Sequence, residues 1–135
     1  ISIRLVGSEM CIRDRHAAKT GALIRASLQI GAFSATPTPE SRRFQALSDV
    51  GDLIGLAFQI MDDVLDVTQS TEVLGKPAGS DEAQNKNTFP KLMGLEASKT
   101  EAERLLSEAN ERLYANDLAT PALLELLTQA VRRRF

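Results

Sequence analysis

An all-α fold is the class this sequence predicts, and three observations predict it. Ala and Leu supply most of an apolar content of 43%, which favours helix over strand. Aromatic residues make up only 4%, with no Trp and one Tyr, so the residues that build sheets are thin. Apolar positions recur at helical spacing, as in Phe44, Leu47, Val50 and Ile54. With 135 residues the chain suffices for one domain with a real core, and rarely for two.

Several function classes fall away on composition. A net charge of -2 gives no electrostatic case for nucleic acid or for an anionic membrane surface. No apolar run reaches the roughly 18 residues a membrane helix needs. The longest candidate, Leu53 to Met61, falls well short. Cys11 is the single cysteine, which excludes a disulfide framework and a thiolate metal cluster. A cytoplasmic helical protein is the expectation.

Residues 1–15 (ISIRLVGSEMCIRDR) have neither a helical nor a two-residue apolar period. They resemble a translated sequencing-library adaptor and are set aside as a non-native segment, leaving 16–135 as the domain. A first helix is predicted from about His16 to Ser34. Ala18, Leu23, Ile30 and Phe33 mix there with small residues, so it is apolar around much of its circumference, a pattern of burial in a bundle. Thr36-Pro37-Thr38-Pro39 stops it. Thr38 is the expected N-cap of the next helix, with Pro39 at its first position and Glu40 suiting the helix dipole.

This second helix is predicted from about Pro39 to Thr68. From Leu53 to Val67 it is apolar nearly all round, as befits the middle of a fold. Gln69 to Asn87 is rich in Gly, Ser, Asn and Pro and is expected to be a loop, functional at that length. Helix resumes at Thr88 or Ser98, where Ser98-Lys99-Thr100-Glu101 fits a capping box. Leu92, Leu95, Ala102, Leu105, Leu106, Ala109 and Leu113 supply its apolar side. Thr120-Pro121 caps a last helix to about Arg133, with Leu123, Leu124, Leu127 and Val131 inward.

Three acids break the greasy second helix, in Phe58-Gln59-Ile60-Met61-Asp62-Asp63-Val64-Leu65-Asp66. On a helix, Asp62 and Asp66 lie about 40° apart around the axis with Gln59 on the same side, while Asp63 is turned about 100° away from Asp62. Two carboxylates one turn apart on a buried helix repel each other and lose hydration, and a divalent cation relieves both penalties. Magnesium suits the set, because it takes oxygen ligands and needs only one or two carboxylates beside substrate phosphates. A merely solvated acidic patch is the plain alternative. Lys76 and Lys86, on the loop that follows, are placed to counter a metal-bound phosphate. Lys19-Thr20-Gly21 offers a cation and a hydroxyl from a neighbouring helix, beside a glycine that permits close approach.

Four motifs in this order resemble the polyprenyl synthetase family, most of all its bacterial farnesyl-diphosphate-forming members. They are His16-Ala17-Ala18-Lys19-Thr20-Gly21, Gly55-Leu56-Ala57-Phe58-Gln59-Ile60-Met61-Asp62-Asp63-Val64-Leu65-Asp66, Leu74-Gly75-Lys76-Pro77-Ala78-Gly79-Ser80-Asp81 and Asn85-Lys86-Asn87-Thr88-Phe89-Pro90. The resemblance implies the C-terminal half of an isoprenoid synthase helical bundle. It implies that Asp62, Asp63 and Asp66 are the second aspartate-rich magnesium motif, supported by Asp81. It gives Lys19, Lys76 and Lys86 to the allylic diphosphate, Thr20 and Gln59 to the region where the allylic cation forms, and Phe58 to the isopentenyl diphosphate. The implied reaction ionises dimethylallyl or geranyl diphosphate, adds isopentenyl diphosphate head to tail and loses a proton. Farnesyl diphosphate is the expected product, with geranyl and geranylgeranyl open, and a homodimer the expected assembly.

The family's first aspartate-rich motif and its isopentenyl-binding Lys/Arg segment have no counterpart in these 135 residues, so the chain alone is expected to be inactive. A non-catalytic partner subunit has no use for Asp62, Asp63, Asp66 and Lys76 together. A terpene cyclase typically carries an Asn/Ser/Glu triad instead. His16 is assigned no catalytic role, and Arg132, Arg133 and Arg134 are read as answering a helix dipole and solvent.

Overall fold

The apolar stretch around Leu53–Met61 becomes the axis of the molecule. In a computed structural model, residues 11, 12, 14, 20–74 and 88–133 are described, the side chains of 70–74 excepted. They form α1 (Ala22–Ala35), α2 (Arg42–Leu74), α3 (Phe89–Met93), α4 (Leu95–Ala115) and α5 (Pro121–Val131), with no strand among them. The predicted all-α class is the one observed. Helix α2, with 33 residues, is about 50 Å long and touches all four other helices.

The core lies between α2 and α4. Val50, Ile54, Ala57, Ile60 and Val64 of α2 meet Ala102, Leu105, Leu106, Ala109 and Leu113 of α4, and Leu127 and Val131 of α5 close one end. Both stripes advance by three or four residues at a time, Leu105 and Leu106 sharing one step, which keeps each on one side of its helix. Burying each Leu or Ile contributes about 1.5–3 kcal/mol relative to exposure. Phe89 of α3 is fully buried and belongs to the same cluster, as does Ile12 from residues 1–15. On the outer face of α4, Arg104 bonds Glu101 and Glu108, and Arg112 bonds Glu108. Those hydrogen bonds, first from Arg112 and then from Arg104, hold the Glu108 carboxyl below its ordinary value.

Four local expectations are corrected. Thr38 does not cap α2. Thr38 to Ser41 form a turn, closed by the Ser41 N–H donating to the Thr38 carbonyl, with Pro39 at its favoured second position. Ser41 is the cap: its Oγ accepts from the Phe44 N–H at 3.2 Å and its carbonyl accepts from Gln45 N–H. At its other end α2 runs to Leu74, six residues beyond the expected stop. Gln69 to Leu74 contain no breaker, and Gly75 is the first one met.

Ser98 is not a cap either. It is buried within α4, and its Oγ donates to the Gly94 carbonyl at 2.7 Å. The helix starts at Leu95 because Gly94 has a φ of 87°, which separates α3 from α4. Helix α1 is not enclosed: none of its residues is buried, and Leu23 and Ile30 are 69% and 67% exposed. Among the described helices it packs on α2 alone. By contrast Thr120 does cap α5, with its side chain accepting from the Leu123 N–H and Pro121 following. The expected loop over 75–87 lies outside the described residues, as do His16 to Ala18 at the expected start of α1.

Candidate active site

Two opposite faces of α2 do different work. Ile54, Ala57, Ile60 and Val64 turn toward α4. Gly55, Gln59, Asp62 and Asp66 fall within about 60° of arc on the far side, since successive residues advance by ~100°. That far side is the one α1 covers. A Cβ built on Gly55 would stand 2.6 Å from the Gly21 Cα, and one on Gly51 would stand 2.6 Å from the Arg25 Cα. The two backbones thus approach as closely as absent side chains allow. Gln29 Nε2 donates to Ser48 Oγ at 3.0 Å, and Arg25 pairs with Asp52 at 3.0 Å. The register Gly21/Gly55, Arg25/Gly51, Gln29/Ser48 makes α1 and α2 antiparallel.

This register decides where the site opens. Gly21 and the half-buried Thr20 form a wide, π-type turn at the N-terminal end of α1, level with Gly55. One turn further along the same face of α2 comes Gln59, 4% exposed. The next turns carry Asp62, whose side chain is 47% exposed, and Asp66, which is exposed. Exposure on this face of α2 therefore rises from Gln59 to the two acids. Asp63 lies off this line, and its Oδ2 is sealed from solvent.

Thr20, Phe58, Gln59 and Asp62 are thus gathered within about two turns of α2, with Asp66 one turn on. Lys19, Lys76, Asp81 and Lys86 lie outside the described residues. Among the described residues no three acidic, His or Cys side chains converge as a closed metal cage. Nor is any described helix long and apolar enough to cross a membrane.

The arginines at the end of α5 are not simply solvated, which corrects the sequence expectation. Arg132 reaches Glu103 of α4 with three hydrogen bonds of 2.8–3.1 Å, and these raise the guanidinium above its ordinary value. Arg133 turns the other way. Its guanidinium carbon lies 3.7 Å from the centroid of the Phe58 ring, and its Nη2 is 3.6 Å from Asp62 Oδ1. Arg134 lies outside the described residues. An open recess of about 430 Å³ adjoins them, lined by Met61, Lys99, Glu103, Arg132 and Arg133. Its Lys99 and Arg132 are already paired, with Glu96 and Glu103, so it offers little net charge to an anion.

Similarity to known proteins agrees with this geometry. The sequence pattern of the family described as Polyprenyl synthetase matches residues 7–127. The chain belongs to the polyprenyl synthetase family. It is 42% identical over 119 residues to Geranylgeranyl pyrophosphate synthase 7, chloroplastic, of Arabidopsis thaliana, covering 88% of this chain and 34% of that protein. It is 40% identical over 121 residues to Farnesyl diphosphate synthase of Escherichia coli (strain K12), covering 87% of this chain and 40% of that one. The chain thus spans well under half the length of these relatives.

Proposed function

We propose that this chain is the part of a trans-prenyltransferase that holds an allylic diphosphate through a divalent cation. The whole enzyme would join isopentenyl diphosphate to dimethylallyl or geranyl diphosphate. One observation carries the reading: Asp62 and Asp66 share one face of α2 and are both open to solvent, one and two turns beyond the buried Gln59. A helix otherwise committed to packing presents two oxygen ligands to solvent.

Magnesium fits that donor set. The ligands are oxygens only, one turn apart, on side chains that solvent reaches. An open pair matches an ion that uses one or two carboxylates and completes its shell with water and phosphate. Asp62 and Asp66 would hold it, with Asp63 on the flank and Asp81 added on the family resemblance alone. Bound there, the ion would screen the charge of the departing diphosphate. The chain's own residues do the rest. Lys19, Lys76 and Lys86 are proposed to add positive charge around the diphosphate. Thr20 and Gln59 lie level with the covered end of the site and direct their polar atoms at the allylic carbons. Phe58 gives isopentenyl diphosphate an apolar floor, and the low exposure of Gln59 keeps water from the cation.

Farnesyl diphosphate is the proposed product. Geranylgeranyl diphosphate is the second reading, favoured by the names of relatives 42% and 46% identical to the chain. Turnover is proposed to need the other aspartate-rich motif, for which these 135 residues hold no counterpart. The homodimer is proposed on the family resemblance alone.

Calorimetry with inorganic pyrophosphate tests the site. The 135-residue chain should take up pyrophosphate with Mg²⁺ and not without it. Asp62→Asn should weaken that uptake at least about tenfold, since even outer-shell partners of metal ligands are worth ~10–100-fold. Equal uptake by the variant, at an unchanged melting temperature, would remove Asp62 from the site.

A further inference from the structure

Two adjacent arginines at the end of α5 are held in opposite ways. Arg132 is saturated, with its hydrogen bonds to Glu103 matching the fork of a guanidinium to the two oxygens of a carboxylate. Arg133 is drawn inward, to 26% side-chain exposure, yet is poorly satisfied. Its Nε and Nη2 are buried without a hydrogen-bond partner. The 3.6 Å to Asp62 is beyond hydrogen-bond reach, so the attraction there is Coulombic only. Beneath it the Phe58 ring, at 3.7 Å, supplies a cation–π contact. A charge taken out of water with so few bonds in return is costly to keep in place. It stays because Asp62 has no stronger cation beside it.

Resting on the proposed diphosphate site, we infer that Arg133 is an internal stand-in for the divalent cation, occluding the metal-free site until an ion at Asp62 expels it. Three features support this. The guanidinium lies against Asp62, the carboxylate nearest the covered end of the proposed site. It also lies on the ring of Phe58, the residue proposed to receive the second substrate, so one side chain reaches both places. Finally, a divalent ion on Asp62 would put like charges within a few ångströms of each other in a part-desolvated corner. The two cations therefore compete, and by linkage each weakens the other by the same factor. Arg132, anchored on Glu103, keeps the end of α5 in place while Arg133 swings. The device ties the last turn of the chain to cation occupancy of a helix to which it is not joined.

The test uses Mn²⁺ alone, so that no phosphate is present to attract Arg133 directly. Free Mn²⁺ is counted by electron paramagnetic resonance against the full 135-residue chain. Arg133→Gln should bind Mn²⁺ about two- to fivefold more tightly than the parent chain, the strength of a part-exposed ion pair. Arg132→Gln should bind as the parent does. In a ¹⁵N-labelled chain the Arg133 Nε–H resonance, shielded by the Phe58 ring, should move toward its open-chain position as diamagnetic Mg²⁺ is added. If Asp62→Asn abolishes Mn²⁺ binding but Arg133→Gln leaves it unchanged, the stand-in is overturned and the metal site survives. If Asp62→Asn binds Mn²⁺ as the parent does, or no form takes up the ion, the metal site itself fails and the stand-in with it.

Discussion

Helix α2 packs a partner on each of two opposite faces, and the partners are held by different physics. Toward α4 the contact is made by branched aliphatic side chains, every one of Val50, Ile54, Ile60, Leu105, Leu106 and Leu113 nearly out of water. Toward α1 Gly21, Gly51 and Gly55 let the backbones meet, with only the part-buried Ile24, Leu28 and Ala32 adding apolar contact. The first face spreads its stabilisation over many apolar groups. The second sets position: little is buried, and α1 keeps Leu23, Ile30 and Phe33 exposed on its outer side. A glycine contact fixes height along a helix more sharply than a greasy one, because it tolerates no slip toward a residue with a Cβ. The candidate site lies on the face where position matters and burial is slight.

Shortening one aliphatic side chain on each face is the strongest way to break that contrast. Ile54→Ala should lower the unfolding free energy by about 2–5 kcal/mol, as core truncations do. Leu28→Ala, half-buried where α1 meets α2, should lower it by only about 1 kcal/mol. Urea melts of both variants decide, and equal losses would mean that the faces are not different in kind.

A methyl group sharpens the comparison. Gly55→Ala puts a carbon 2.6 Å from the Gly21 Cα, where the neighbour is backbone and has no rotamer to yield. Overpacking of this kind costs about 1–3 kcal/mol, partly offset by the better helix propensity of Ala, about 1 kcal/mol. The informative readout is local. Amide shifts of Thr20 and Gln59 should move while those of Leu106 and Leu113 stay, and uniform shifts would deny that the glycine pair sets the site's register.

The sequence made the central helix, the start of the core stripe and the acidic triplet legible, because each is a periodic signal carried by one element. Phe44, Leu47, Val50 and Ile54 declare a packed side by spacing, whereas from Leu53 to Val67 the helix is apolar nearly all round and spacing singles out no face. Asp62 and Asp66 declare themselves by interrupting apolar neighbours. Caps were harder. Thr38-Pro39-Glu40 and Ser98-Lys99-Thr100-Glu101 are both sound local signals, yet a turn ending at Ser41 and the positive φ of Gly94 took their places. The exposure of α1 was hidden because an apolar circumference says that a helix can be covered, not what covers it. Arg133 was misjudged for a related reason. Its partners Phe58 and Asp62 lie more than 70 residues away in sequence, and nothing in three consecutive arginines distinguishes the one that folds inward. Gly21 and Gly55 were the available clue to the α1/α2 register; Gly21 was read as permitting close approach, but Gly55 was not singled out as its partner.

The central claim is that the face of α2 carrying Asp62 and Asp66 gathers a cation and a diphosphate. A crystal of this chain grown with Mn²⁺ and inorganic pyrophosphate tests it most directly, through the anomalous signal of the metal. The predicted peak lies about 2.1 Å from oxygens of Asp62 and Asp66, with phosphate oxygens completing the shell and the Arg133 guanidinium withdrawn from Asp62. A peak on other carboxylates, with Asp62 still beside Arg133 and Asp66 in water alone, would contradict it.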